Sequence, residues 1–278
     1  MKRFILSGGP DRNGRIRLEG SDYHYLVRVR RLAPGEVFPA LLPGGGEVLV
    51  RVLATGGGTL TGDCLPAESA AGAQGSDAQG SASAGLPPII LFQALPRSEK
   101  LDLIVRQAAE GGLAEVVPFG SEFSVAKIKG PGGQRAAPAK YARWERIVKE
   151  ARQQSGSSIA TSVRPLPDID ALFAYWEKLK KAHPGALGVL FHHAPLEQAS
   201  LHSYLDKDPE IVALAIGPEG GFSPAETERF LAAGFKPLTI GNSVLRTETA
   251  ALYGAAAIRI ILLEKNSWEI RHPRPGNG

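Results

Sequence analysis

IGPEGGF at 216–222 and IGNSVLRTETAALYGAAAI at 240–258 are the two stretches of sequence that decide the fold. Each places a glycine-containing turn directly after a short apolar strand and before a helix. In that context bare backbone N–H and C=O groups come close to a bound small molecule. Three charged residues stand beside the turns, namely Glu219, Arg246 and Glu248. The sequence therefore predicts one ligand cavity built from both turns.

The residues that follow each turn predict how the next helix begins. Ser223 fits the N-cap position of a helix and Pro224 its first position, while Glu226 gives a weaker match to a capping box. Thr247 is the predicted N-cap of the last helix. That helix is rich in small residues, which suits a tight dimer face or a helix packed into a confined passage, or is simply an ordinary alanine-rich helix. A cation at the N-terminus of a helix opposes the helix dipole. The presence of Arg246 at this unfavourable position, beside a ligand turn, therefore indicates a functional role.

The motif around the first turn excludes two common nucleotide sites. It lacks the G-x-G-x-x-G spacing of a dinucleotide fingerprint and the G-K-[ST] ending of a P-loop. The chain also has no G-x-S-x-G motif, which argues against a serine hydrolase elbow. His192 and His193 are adjacent, and adjacent side chains of an extended chain point to opposite faces, so we reject a metal site there.

Strands and helices alternate from residue 89 onward, which predicts an α/β domain with a mostly parallel sheet covered by helices. The predicted strands are 89–95, 115–119, 187–191, 211–216 and 237–240, and the predicted helices are 98–110, 139–154, 168–182, 224–233 and 248–264. This domain spans 89–265, and 266–278 is read as a loose tail.

Residues 1–66 predict a smaller β-rich domain, because short alternating segments are separated by Pro-Gly and glycine-rich breaks. One helix is predicted within it, from Asp22 to Leu32, with Ser21 or Asp22 as its N-cap. Residues 67–88 are an Ala/Gly/Ser run with too few bulky apolar side chains to offset the entropy of ordering, so we interpret them as a flexible linker or insertion.

The composition fits a two-domain protein with a mildly basic surface. The chain has 278 residues and a net charge of +4, which is compatible with a polyanionic partner. Cys64 is its only cysteine, which excludes an internal disulfide and suits a reducing cytosol. We expect no signal peptide, no membrane span and a cytoplasmic location. A cationic cluster of the first domain predicts RNA binding and consists of His24, Arg28, Arg30 and Arg31.

Several segments together resemble one family. They are QALPRSEKLDLIVRQAAEGGLAEVVPF (93–119), SEFSV (121–125), WERIVKEARQQSGSS (144–158), IGPEGGFSPAE (216–226) and IGNSVLRTETAA (240–251). The series is similar to the RsmE family, SPOUT-class methyltransferases that methylate N3 of a uridine in small-subunit (16S) ribosomal RNA. HYLVRVRRLAPGE (24–36) is similar to the start of the PUA-like RNA-binding domain of that family.

The resemblance implies a SPOUT-type α/β knot, in which a deep C-terminal trefoil knot binds S-adenosylmethionine at a homodimer interface. It also implies small-subunit ribosomal RNA, or the assembled subunit, as the partner, and a small PUA-like β-barrel as the first domain. Carried over by position, the first knot loop consists of Gly217, Pro218, Glu219, Gly220 and Gly221, and the second of Ile240, Gly241, Leu245 and Arg246.

The chain departs from the family pattern at a few positions. Phe123, Ser157 and Ser243 stand where arginines are common, Gly111 replaces a leucine and Gln153 a glutamate. As the mechanism, we expect Arg246 to stabilise the charge that develops on the uracil oxygens. Glu248 or Glu219 would orient Arg246 or accept the N3 proton. Ribose 2′-O methylation and a non-catalytic RNA-binding protein of the same fold are the alternatives.

Overall fold

The computed structural model describes residues 4–66, 86–97, 99–125, 137–193, 196–241 and 243–267. The chain divides into two compact units, Met1–Ser81 with Lys149–Ala160, and Ala82–Val148 with Thr161–Gly278. The sequence placed 149–160 in the second domain, whereas these residues make their contacts within the first unit. Most of the predicted linker and most of the predicted tail lie outside the described residues.

The first unit contains one five-stranded sheet. Its elements are β1 (Phe4–Ile5), β2 (Arg15–Glu19), α1 (Gly20–Tyr23), a π-helical turn (His24–Val29), β3 (Val37–Leu41), β4 (Glu47–Gly56) and β5 (Thr59–Pro66). The strand order is β1-β3-β4-β5-β2, and all pairs are antiparallel except β1 with β3. Alternate side chains of these strands meet in an apolar core around Leu18, Phe38 and Val50.

The predicted β-rich first domain is confirmed, in the form of a half-barrel, because among the described residues no pairing joins β1 to β2. One prediction for this unit needs correction. The predicted helix begins at Gly20 instead of Asp22, and its N-cap residue is Glu19, which makes no capping bond. Asp22 is buried and lies 3.6 Å from Lys149 Nζ, so its carboxylate forms an ion pair instead of a cap.

The second unit is built on a six-stranded parallel sheet, so the predicted α/β class is confirmed. Its strands are β6 (Ile89–Ala94), β7 (Glu115–Phe119), β8 (Ser162–Val163), β9 (Ala186–Phe191), β10 (Ile211–Ile216) and β11 (Lys236–Leu238), in the order β11-β9-β10-β6-β7-β8. Its helices are α2 (Lys100–Glu110), α3 (Ala137–Ser155, whose residues from Lys149 onward belong to the first unit), α4 (Ile169–Ala182), α5 (Leu201–Leu205), α6 (Pro224–Ala232) and α7 (Thr247–Ser267). The sequence did not predict β8 and α5.

Both faces of this sheet are covered, which explains why β10 is a continuous apolar run, why β6 is apolar except for Gln93, and why both strands are buried at every position. On one face Phe92 packs with Trp176 of α4 and Phe230 of α6. On the other face α7 lies against β6, β10 and α2. A Cβ at Gly254 would lie 2.8 Å from side-chain atoms of Leu214 and Phe191. The glycine therefore lets α7 approach the sheet closely.

The helix ends follow the local sequence in part. Ser223 accepts from the Glu226 N–H and Glu226 accepts from the Ser223 N–H, with Pro224 in the first turn, so the predicted capping box is confirmed. Helix α7 continues to Ser267, so the predicted tail begins two residues too early. No helix of the described residues has the length and hydrophobicity to cross a membrane.

Candidate functional site

The two glycine turns lie at the carboxyl ends of parallel strands and border one cavity of about 500 Å³. The first turn follows β10 and the second follows β11, and the strand between them, β9, ends at the same edge. This is the edge at which open parallel sheets bind ligands. Among the predicted cofactor residues, those that line the cavity are Gly217, Pro218, Glu219, Gly220, Gly221, Ile240, Gly241 and Leu245.

The first turn requires its glycines for space and for conformation. A Cβ at Gly217 would lie 3.0 Å from backbone carbons of Gly221, because the turn folds back on itself. Gly221 has a φ of 71°, and its N–H donates to the Pro218 carbonyl over 2.9 Å. In the second turn Gly241 has a φ of 64°. Left-handed backbone favours glycine at both positions, so bare backbone of both turns borders the cavity.

Thr247 ties the first turn to the start of α7. Its hydroxyl donates to the Gly217 carbonyl over 2.7 Å and accepts from Gln93 Nε2 over 2.9 Å. The predicted N-cap role of Thr247 is therefore wrong. Thr247 is the first helical residue, and the bond from the Ala250 N–H to the Arg246 carbonyl closes the first turn. The hydroxyl holds the loop and β6 together instead of capping the helix.

Lys100, at the first position of α2, joins the two glutamates that the sequence singled out. Its Nζ lies 2.9 Å from Glu219 Oε1 and 3.2 Å from Glu248 Oε2. The sequence analysis missed Lys100. A signal was present, because a cation at the start of a helix opposes the dipole, which is the argument that drew attention to Arg246.

This cluster shifts the pKa of two of its members. The hydrogen bond to Glu219 chiefly raises the pKa of Lys100, and the bond to Glu248 adds to it, against partial desolvation. Burial opposes the ionisation of Glu219. Hydrogen bonds from Lys100 and from backbone N–H groups, including that of Arg97, outweigh burial and lower the pKa of this carboxyl. The Lys100–Glu219 pair is therefore charged at neutral pH.

Arg246 lies at the N-terminal end of α7 with an exposed side chain. No hydrogen bond or ion pair between described residues includes its guanidinium, and it does not line the cavity. Glu219 and Glu248, which we expected to orient Arg246, instead contact Lys100 in this structure. The Arg246 side chain is therefore available to a substrate.

His192 and His193 border the cavity and were also missed as site residues. Their rings stack with centroids 5.3 Å apart and an interplanar angle of 12°. The argument that they point to opposite faces is therefore wrong, because side chains alternate only within a strand and β9 ends at Phe191. Among the described residues no three His, Cys, Asp or Glu side chains are grouped as a metal site.

The predicted RNA-binding residues lie on the π-helical turn of the first unit and just beyond it. His24 and Arg28 are exposed, Arg30 is half-buried and Arg31 is exposed. The turn ends with bonds from the Arg30 N–H to the Tyr25 carbonyl and from the Leu32 N–H to the Leu26 carbonyl. Arg31, between them, has a φ of 57°, a left-handed conformation that normally favours glycine.

Comparisons with known proteins agree with this architecture. A family model described as an RNA methyltransferase domain matches residues 84–259, and one described as an RNA methyltransferase PUA domain matches residues 18–63. Ribosomal RNA small subunit methyltransferase E of Aquifex aeolicus is 34% identical over 60% of this chain and 67% of its own length. The chain belongs to the RsmE family.

Other members of the RsmE family extend the similarity over most of the chain. The small subunit methyltransferase E of Synechocystis sp. is 29% identical over 89% of this chain and 73% of its own length. The crystal structure of the Neisseria gonorrhoeae protein, bound to S-adenosyl methionine, superposes with a TM-score of 0.69 at 22% identity. The superposition covers 94% of this chain and 98% of the Neisseria gonorrhoeae chain. The protein is therefore an RNA methyltransferase with a PUA-like first unit.

The departures from the RsmE pattern fall in different places. Phe123 is exposed beside Gly220, and Ser243 lines the cavity. Ser157 and Gln153 are half-buried in the segment that belongs to the first unit. Gly111 ends α2, where its N–H donates to the Gln107 carbonyl over 2.8 Å. Phe123 and Ser243 are thus the two departures that touch the cavity wall.

Proposed function

We propose that this protein transfers a methyl group from S-adenosylmethionine to N3 of a uridine in small-subunit ribosomal RNA. The observation that carries the proposal is the meeting of both glycine turns around one cavity, beside the Lys100–Glu219–Glu248 cluster. Membership of the RsmE family supplies the class of reaction, and the resemblance to that family supplies the choice of N3. On this proposal the enzyme works in the cytoplasm, where ribosomal subunits are assembled.

The cavity suits S-adenosylmethionine in size and chemistry. Its volume lies within the range of small-molecule sites. Bare backbone at Gly217, Gly220 and Gly221 offers polar groups at close range, and Ile240 and Leu245 offer apolar walls. Bound S-adenosylmethionine supplies a methyl group on a positively charged sulfur, which needs no further activation. The knot that the resemblance implies stays a prediction.

The residues beside the cavity would act on the uracil. Its N3 bears a proton at neutral pH and must lose it, which spreads negative charge onto the two uracil oxygens. Arg246 is exposed and carries a charge of the right sign to stabilise those oxygens. We assign it that role, which requires a substrate pose in which the guanidinium reaches the base.

Glu248 suits the role of proton acceptor better than Glu219. Glu219 already accepts from Lys100 and the Arg97 N–H, and its lowered pKa makes it a weak base. Glu248 Oε2 is buried and forms an ion pair with Lys100 Nζ over 3.2 Å. No backbone N–H among the described residues donates to this oxygen, so Glu248 keeps more free lone pairs for the N3 proton than Glu219 does.

We also propose that the enzyme is a homodimer that pairs through α2 and α7. Large apolar side chains on these helices are exposed, namely Leu103, Leu252, Tyr253 and Ile260. Two of them, Leu252 and Ile260, line an apolar depression of about 210 Å³. Ile260→Asp should convert a dimer to a monomer in light scattering, whereas Leu231→Asp, an exposed leucine of α6, should not. A monomeric wild-type protein would refute the dimer.

His24, Arg28, Arg30 and Arg31 of the first unit are proposed to bind RNA phosphates. The charge of the three arginines and the exposure of His24, Arg28 and Arg31 support this, and the first unit matches the PUA description. Replacing Arg28 and Arg30 together by alanine should weaken RNA binding and flatten its salt dependence. Equal binding across salt concentrations would remove both residues from the interface.

Analysis of the methylated nucleoside tests the proposed function. Small subunits that lack the modification are incubated with the protein and methyl-labelled S-adenosylmethionine, and the RNA is digested for mass analysis. The proposal predicts labelled 3-methyluridine. A 2′-O-methylated nucleoside would assign another SPOUT activity, and cofactor binding with no RNA product would indicate a non-catalytic RNA-binding protein. Either result would refute the proposal.

A further inference from the structure

Phe123 presents an aromatic ring at the edge of the cofactor cavity. The residue lies in the segment after β7, and 46% of it is exposed. It packs against Gly220, where an added Cβ would lie 3.1 Å from Phe123 Cβ and 3.5 Å from its Cγ. Gly220 itself lines the cavity. The phenylalanine is therefore separated from the cavity by a single glycine.

The segment that carries Phe123 is fastened on both sides of the residue. Ser124 is buried, and its hydroxyl donates to the Leu95 carbonyl over 3.0 Å and lies 2.9 Å from Ser121 Oγ. The Glu122 N–H donates to Glu226 Oε1 over 2.8 Å. The other oxygen of Glu226 accepts from the Ser223 N–H in the capping box. The backbone that carries the exposed ring is thus fixed in place. One of its hydrogen bonds goes to Glu226, the carboxylate that also caps α6.

Core packing does not account for this ring. The buried cluster on this side of the sheet contains Phe119 and Phe222, whose rings stack with centroids 6.3 Å apart, but not Phe123. An exposed phenylalanine leaves apolar area in water, which contact with a ligand would bury. The chemistry of the neighbouring site indicates what it binds, because single-stranded RNA is commonly held by aromatic rings that stack on unpaired bases.

We propose that the Phe123 ring stacks on a base of the RNA substrate and holds that base at the mouth of the cofactor cavity. This inference rests on the proposed function, since it needs an RNA substrate at this edge of the sheet. Stacking requires a flat aromatic face and is tolerant of base identity. Phe123 would therefore contribute to RNA affinity near the reacting base, whereas S-adenosylmethionine would bind without its help.

Substitutions that separate aromatic from merely apolar character test this inference. Phe123→Ala and Phe123→Leu should each raise the KM for unmodified small subunits about tenfold, equivalent to 1.4 kcal/mol. Phe123→Trp should keep the KM within about twofold, since a larger ring also stacks. Leu231→Ala, which truncates an exposed leucine on α6, is the matched control and should change nothing. The Kd for S-adenosylmethionine, measured by calorimetry without RNA, should be the same in all variants.

A second measurement uses the wild-type protein and needs no variant to fold. Ultraviolet light crosslinks stacked aromatic side chains to bases, so irradiated complexes with unmodified small-subunit RNA should yield a crosslinked peptide containing Phe123. A normal KM for Phe123→Leu, or crosslinks elsewhere but none at this peptide, would overturn the inference. Failure of the wild-type protein to methylate RNA at all would instead refute the proposed function.

Discussion

Replacing Thr247 by valine tests whether the start of α7 holds the cofactor turn in place. Valine has nearly the shape of threonine, so the substitution removes the hydroxyl without opening a cavity. Two hydrogen bonds are lost, one to the Gly217 carbonyl and one from Gln93 Nε2. Thr247 is only 4% exposed and Gln93 is 0% exposed, so water cannot readily replace the hydroxyl.

The burial and the remaining hydrogen bonds of the two partners determine how much stability the substitution removes. A buried polar group left without a partner costs about 1–3 kcal/mol. Gln93 Nε2 keeps its bond to the Ala94 carbonyl, and Gly217 is only half-buried, so both losses fall at the low end of that range. We therefore expect Thr247→Val to lower the free energy of unfolding by about 2–3 kcal/mol. Because the Gly217 carbonyl is released, the Kd for S-adenosylmethionine should rise about tenfold.

The assay is urea unfolding, followed by calorimetric titration of the folded protein with S-adenosylmethionine. Thr249→Val is the matched control, since it is the same change on the same helix. Thr249 is half-buried and takes part in no side-chain hydrogen bond between described residues. It should lower stability by less than about 0.5 kcal/mol and leave the Kd unchanged. Equal losses of stability in the two variants would refute the role given to Thr247.

Three further substitutions test the charged residues. Arg246→Ala should abolish methylation while the Kd for S-adenosylmethionine stays within about tenfold; substantial turnover would show that Arg246 is not needed. Lys100→Gln should cost about 1 kcal/mol at pH 7 in urea unfolding. Because the pKa of Glu219 is lowered and that of Lys100 is raised, the ion pair contributes to stability at pH values between the ordinary pKa values of the two groups, 4.5 and 10.5. The difference from wild type should shrink as the pH falls below 4.5, and a difference independent of pH would contradict the ion pair. Arg31→Gly should stabilise the protein by about 1 kcal/mol, because it relieves the left-handed backbone, yet weaken RNA binding; unchanged RNA affinity would remove Arg31 from the interface.

The parallel sheet was predictable because its strands carry strong local signals. β10 is a continuous apolar run and β6 is apolar except for Gln93, and the α6 capping box is a short-range pattern of neighbouring residues. β8 has two residues and α5 has five, so neither spans enough sequence to show a periodicity. The π-helical turn escaped prediction because its irregular hydrogen bonds leave no simple sequence period.

The site was predictable only where one segment contained its own signal. Each of the two glycine turns can be recognised from its own segment of sequence. Lys100 cannot, because the carboxylates that it contacts are distant along the chain. Thr247 has the side chain of an N-cap, but the Gly217 carbonyl competes for its hydroxyl. The histidine pair was misread because the alternation of side chains in a strand was extended past the end of β9, which the sequence had located correctly at residue 191. For Lys100 and Thr247 a tertiary partner decided the outcome.

A crystal structure of the protein with S-adenosylmethionine tests the central claim most directly. The account predicts that one cofactor molecule contacts backbone atoms of both turns, 217–221 and 240–245, with its methyl group directed toward the side of the cavity where Arg246 and Glu248 lie. A cofactor that touches only one turn, or that binds elsewhere while both turns stay free, would contradict it.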